Sequence, residues 1–196
     1  LQLAVARPEL DPKIVEHALE QLEQTCFYLI RSGSYYAYSN EPNLNKIIVQ
    51  YEEAIEKTAI SEELERRINQ LYGRSGYFDS RLFKNTPDGV PDNAEKPKLV
   101  VMHFKDCTTS RNRKPPAEVD SIFKQKGTQK VPRIFVNNLL FLISDLDQRE
   151  AMETKAREFL ALKRLCNDFE SGDSDLNLSD SQKRQIKNRR KETELY

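Results

Sequence analysis

Leu99-Val-Val-Met-His-Phe104 is the stretch on which the reading of this chain turns. Its apolar residues follow one another without the alternation of a half-exposed strand or the spacing of a helix, so it reads as a strand covered on both faces. Leu139-Leu-Phe-Leu-Ile143 is a second run of the same kind, apolar on both faces, and Tyr77 to Lys84 reads as a further strand. Between the two apolar runs, Ala117 to Lys126 reads as a short crossover helix. Asp147 opens a long one, with Glu150 completing a capping box and Met152, Ala156, Phe159, Leu162, Cys166 and Phe169 along one broad face expected to cover the sheet. Strands alternating with helices predict an α/β layer with right-handed crossovers.

Upstream of this layer the pattern is different. Asp11-Pro12 supplies an N-cap and a first-turn proline to a helix carrying Ile14, Ala18, Leu19 and Leu22 and ending near Gln24. Residues 1–7 read as the remnant of a preceding helix, and Arg7 to Leu10 as the turn between them. Cys26-Phe-Tyr-Leu-Ile30 and Tyr35-Tyr-Ala-Tyr-Ser39 read as aromatic strands around the turn Arg31-Ser-Gly-Ser34. Helix followed by hairpin is the second half of a winged helix. A helix opened by Asn40-Glu-Pro42 carries Leu44, Ile47, Ile48, Tyr51 and Ile55, and another over Ser61 to Tyr72 is stopped by Gly73. Gly73-Arg-Ser-Gly76 marks the boundary. The expected organisation is a winged-helix-like domain over 1–74, a small α/β domain over 75–170, and a linker with a polar helix over 171–196: α/β in its sheet layer, α+β overall. Ser179 and Gln182 cap the last helix, which carries little apolar residue beyond Ile186 and is expected either to project into solvent or to await further protein to pack against.

The chain has 196 residues, 38% hydrophobic and 32% charged, in the range of soluble globular proteins. The apolar run at Leu139 to Ile143 is far below the roughly 20 residues of a membrane-spanning helix, so no membrane contact is expected. The opening Leu1-Gln-Leu-Ala-Val5 has neither Met nor a basic region before an apolar stretch, which points to an excised piece without a secretory signal. Cys26, Cys107 and Cys166 are odd in number and widely spaced, which predicts reduced thiols and a cytoplasmic protein. Balanced charge conceals an asymmetry: residues 1–72 hold 7 basic and 12 acidic side chains, and residues 73–196 hold 24 and 19.

Catalytic patterns are weak. The six glycines never form a phosphate-wrapping loop followed by Lys and Ser or Thr, which argues against nucleotide hydrolysis by this stretch. His17 and His103 are the only histidines and no two cysteines have ligand spacing, so a metal site is not expected. His17, among Glu16 and Glu20, reads as a solvated residue; His103 reads as a satisfied residue of a strand. Cys107 with His103 allows a nucleophile and base, against the plainer reading of a packed thiol. Pro91-Asp92 with Glu95-Lys96 faintly suggests a nuclease cluster, but Pro97 breaks the spacing and a turn fits better. The first domain carries Asp11, Glu16, Glu20 and Glu23 where DNA binding would need cations, so it is read as docking onto other proteins.

The second half is more basic. Lys96 to Arg133 holds ten basic and three acidic residues, among them Arg111, Arg113, Lys114, Lys124, Lys126, Lys130 and Arg133, and Lys183 to Lys191 adds Lys183, Arg184, Lys187, Arg189 and Arg190 without an acid. These are the candidates for contact with phosphate or nucleic acid, with a solvated charged face as the competing reading.

Three stretches in order carry a resemblance: Tyr38-Ser-Asn-Glu-Pro-Asn-Leu-Asn-Lys-Ile-Ile48, Val90-Pro-Asp92 before Leu99-Val-Val-Met102, and Arg133-Ile-Phe-Val-Asn137-Asn-Leu-Leu-Phe-Leu142. The chain resembles, over most of residues 1–195, the C-terminal region of large prokaryotic ATPases of unknown function found near phage-resistance genes. The resemblance implies a parent whose Walker motifs, ATP and Mg²⁺ lie upstream of Leu1, with this piece as an accessory region that holds no cofactor and has the upstream ATPase domain as a partner. Arg133 matches the family's pattern and is thereby a candidate for a phosphate of a neighbouring domain, against the alternative of an arginine packed along a strand edge.

Overall fold

The computed structural model describes residues 12–33, 35–110, 114–172 and 176–194. The expected helix remnant over residues 1–7, the turn over Arg7 to Leu10 and the Asp11 cap lie outside the described residues. In chain order the elements are α1 (Pro12–Thr25), β1 (Leu29–Ser32), β2 (Tyr35–Tyr38), α2 (Leu44–Glu53), α3 (Lys57–Tyr72), β3 (Asp79–Leu82), β4 (Lys98–Val101) and β5 (Thr108–Thr109). There follow α4 (Ala117–Lys124), β6 (Gln125–Lys126), β7 (Val131–Pro132), β8 (Leu139–Leu142), β9 (Ser144–Asp145), α5 (Arg149–Ser171) and α6 (Asp180–Glu194). The fold is α/β, with a parallel sheet ordered β3-β4-β8.

Two compact units divide the chain, one of Leu1–Glu56 with Arg157–Tyr196 and one of Lys57–Ala156. This differs from boundaries after residues 74 and 170. α3 belongs with the sheet because Ser61 and Glu65 bond to the chain that follows β4, and the end of α5 belongs with α2 because their apolar side chains share a core.

In the first unit, the stripe on α1 is turned differently from the sequence expectation: Ile14 and Leu22 are exposed at 59% and 51%, and the buried side lies nearer Val15 and Leu19. β1 and β2 pair antiparallel with Ser32 opposite Tyr35, so Arg31 and Ser32 belong to the strand and the turn contracts around Gly33, whose φ of +63° suits a residue without Cβ. Asn43, not Asn40, caps α2, its Oδ1 accepting the N–H of Asn45 at 3.1 Å. Ile47 and Ile48 then reach a core with Leu162, Leu165 and Cys166 of α5, Leu178, and Ile186 of α6. The Tyr51 hydroxyl donates to Asp168 at 2.7 Å.

Two expectations for the C-terminal helices are overturned here. The apolar face of α5 beyond Arg157 packs on this core rather than on the sheet, because Leu162, Leu165 and Cys166 recur at helical spacing toward Ile47 and Ile48. α6 is docked rather than projecting: Ile186 is fully buried, the Gln182 amide donates to Pro42 O at 2.8 Å, and Arg189 and Lys187 meet Glu158 and Glu170 at 2.6 and 2.7 Å. A narrow stripe, Leu178, Gln182, Ile186 and Thr193, suffices because its polar members are hydrogen-bonded. The Ser179 and Gln182 capping box forms in both directions, at 3.3 and 3.2 Å.

In the second unit β4 is central. Val100, Met102, Val90, Cys107, Val119 and Ile122 form its core, with Leu139, Phe141 and Ile143 against it. One face of β8 is left open, so only alternate residues are covered: Leu140 is 51% and Leu142 38% exposed, contrary to a strand buried on both faces. The expected Asp147 and Glu150 capping box is replaced by Asp145, which accepts Asp147 N–H and opens a 3-10 turn before α5 begins at Arg149.

Candidate functional site

The carboxyl ends of parallel strands are where open α/β sheets hold ligands. Past β3 stands Phe83, at φ +56°, and past β4 stands His103, just outside the strand in which it was expected. The imidazole stacks on Phe104 at 4.8 Å and meets the Phe83 ring edge-on at 5.2 Å. Both nitrogens are engaged: Nε2 is 3.3 Å from Glu65 Oε1, while Nδ1 accepts Lys105 N–H at 3.2 Å and is 3.4 Å from Asp106. Lys105 Nζ donates to the Ser61 hydroxyl.

Cys107 joins His103 only through the backbone, N–H to carbonyl at 3.0 Å. Burial first, then the charges of Glu118 and Asp106, push its thiol up to about 11, so at neutral pH the thiolate needed for attack is scarce. Among the described residues, no three His, Cys, Asp or Glu side chains are grouped to hold a metal ion. His17 is exposed, with Gln21 3.3 Å away.

At the amino end of the sheet, charged residues lock the segment before β4. The Arg133 side chain is fully buried, with Nε, Nη1 and Nη2 donating to the carbonyls of Ile122, Pro91 and Val90 at 2.9, 3.0 and 3.0 Å. Asp92 accepts N–H from Ile134 and Phe135, each at 2.9 Å, and meets Lys126 at 2.9 Å. Burial alone would raise the Asp92 carboxyl, but these partners outweigh it and hold it near 2. Lys98, also buried, is tied to the carbonyls of Asn93 and Lys96, and Asn138 bonds to the same two carbonyls.

The basic candidates therefore do not converge. Lys124 pairs with Asp120 at 2.7 Å, Lys126 with Asp92, Lys187 with Glu170 and Arg189 with Glu158, while Arg133 points inward. Arg190 lies beside the Cys166 thiol. Lys114, Lys130 and Arg184 are exposed and Lys183 is half-buried; Arg111 and Arg113 lie outside the described residues. The two basic stretches also fall in different units.

A groove in the first unit is the feature that the sequence reading missed. It encloses about 760 Å³ between α1 and α2, with Glu20, Glu23, Lys46, Val49, Phe27 and Glu53 among its lining. Val49 is 50% exposed there although Ile47 and Ile48 are buried. The signal was present: three consecutive apolar residues on a helix, each turned about 100° from the last, cannot all face one core. Lys46 lines the same groove, its ammonium donating to the carbonyls of Cys26 and Leu29 at 3.2 and 3.4 Å, so three carboxylates stand there against one ammonium. No known family, curated protein or solved structure matches this chain. No helix among the described residues is long and apolar enough to cross a membrane.

Proposed function

We propose that this chain is a non-catalytic docking region of an ATP-binding protein, of the kind encoded near phage-resistance genes, and that it presents its acidic helix-and-hairpin unit to other proteins. One observation carries the reading: the groups with chemical potential are engaged in holding the fold, whereas the groove between α1 and α2 is open, acidic and partly apolar. Cys107 is buried with a raised thiol, Arg133 is taken up by three carbonyls, and both nitrogens of His103 face partners. The ATP and Mg²⁺ belong, on the resemblance, to a region upstream of Leu1. Open acidic surface favours a protein partner over nucleic acid, since phosphate repels carboxylate.

The test is turnover. The purified chain, given ATP, GTP and single- and double-stranded polynucleotides with Mg²⁺, is expected to convert none of them. Hydrolysis that disappears on one point substitution within these residues would overturn the proposal.

A further inference from the structure

We infer that the groove between α1 and α2 receives a cationic amphipathic helix of a partner protein, with an aliphatic stripe on Phe27 and Val49 and Lys or Arg side chains against Glu20, Glu23 and Glu53. The inference rests on the docking reading and names what docks. Charge complementarity selects the sign of the partner: the carboxylates rise from both walls, Glu20 and Glu23 from α1 and Glu53 from α2, and none is paired with a cation among the described residues. Lys46, the cation between them, is fixed to two carbonyls on the hairpin side. A polyanion would meet three carboxylates against one ammonium there, which disfavours nucleic acid on this face.

Apolar contact selects an amphipathic partner rather than a simple polycation. Val49 is half in water at 50% exposure, and Phe27, half-buried, packs from below on the core formed by Ile47, Leu162 and their neighbours. A small apolar floor ringed by carboxylates gives a helix both a place for its stripe and pairs for its flanking cations. Both walls are helices, so a third helix can seat its side-chain ridge between theirs.

Fluorescence anisotropy with two labelled peptides tests this. One is a helix of about 18 residues, five turns, with Leu at positions facing one side and Lys and Arg elsewhere; the other replaces each Lys and Arg by Glu. The full chain is expected to bind the cationic peptide, to lose about tenfold in affinity when Glu20, Glu23 and Glu53 are all changed to Gln, and to lose a similar factor with Val49→Asn, which removes the apolar contact without adding charge. Raising salt from about 50 to 500 mM should weaken the complex further, as exposed ion pairs are screened. Glu20, Val49 and Glu53 are exposed and Glu23 is half-buried, and unchanged far-ultraviolet circular dichroism shows that the variants still fold.

Equal binding of the acidic peptide, no binding of the cationic one, or affinity indifferent to both variants overturns the inference. So does self-association of the chain that the same variants abolish, which would make a second copy the occupant. None of these outcomes involves nucleotide turnover, so failure here is distinct from failure of the docking reading.

Discussion

Of the two readings Arg133 allowed, contact with a phosphate or packing within the fold, its side chain takes the second. Its guanidinium fork fits three carbonyls at 2.9 to 3.0 Å, a geometry that an ammonium cannot copy. Arg133→Lys should therefore destabilise the second unit by about 2–4 kcal/mol, read as a lower urea midpoint with the first unit's signals unchanged. Asp92 makes a pH prediction. Its carboxyl titrates near 2 in the fold against an ordinary value of 3.8, so the stability it contributes is complete above about pH 4 and is lost as pH falls toward 2. Asp92→Asn should remove that part of the acid sensitivity, which a series of denaturation midpoints between pH 2 and 5 would display. Thiol labelling addresses Cys107: with its thiol pushed up to about 11, reaction at pH 7.5 should be far slower than for an ordinary thiol, and rapid labelling of Cys107 would revive it as a nucleophile. The environments of Arg133 and Asp92 could not be read from the sequence, because the partners that define them are distant along the chain: Val90 and Pro91 are more than forty residues from Arg133, and Ile134 and Phe135 as far from Asp92.

Among the elements, α6 departs furthest from its sequence. Its composition is that of a solvated helix, yet Ile186 is buried and Gln182 reaches a carbonyl 140 residues away. Ile186→Ala should cost about 2–4 kcal/mol, and hydrogen exchange should show α6 amides losing protection before those of β4. Ser179→Ala, which removes one arm of the capping box, should cost about 1 kcal/mol by the same denaturation measurement. The extents of α1, the hairpin, α4 and the three parallel strands were legible to within a few residues, since caps, turn residues and apolar runs are local signals. The face of α2 was legible too, since Leu44, Ile47, Ile48 and Tyr51 meet the core, whereas that of α1 was not, Ile14 and Leu22 being left in water.

At the scale of the whole molecule, the first unit is discontinuous: its core joins Ile47 and Ile48 to Leu162, Leu165, Cys166, Leu178 and Ile186. A chain ending at residue 156 should therefore lose the first unit while Lys57–Ala156 keeps its own core around Val100 and Ile122; limited proteolysis should cut such a chain throughout residues 12–56 and spare β4. The sequence by itself determined the alternation of helices and strands, the parallel sheet, and the acidic and basic halves, since these follow from periodicity and composition along short windows. Only the tertiary structure decided that α5 and α6 complete the first unit, that the strongest cations face carboxylates and carbonyls, and that Val49 looks into a groove. Long-range burial and charge pairing choose among faces that a local pattern leaves equivalent, and those choices fix which residues remain open to a partner.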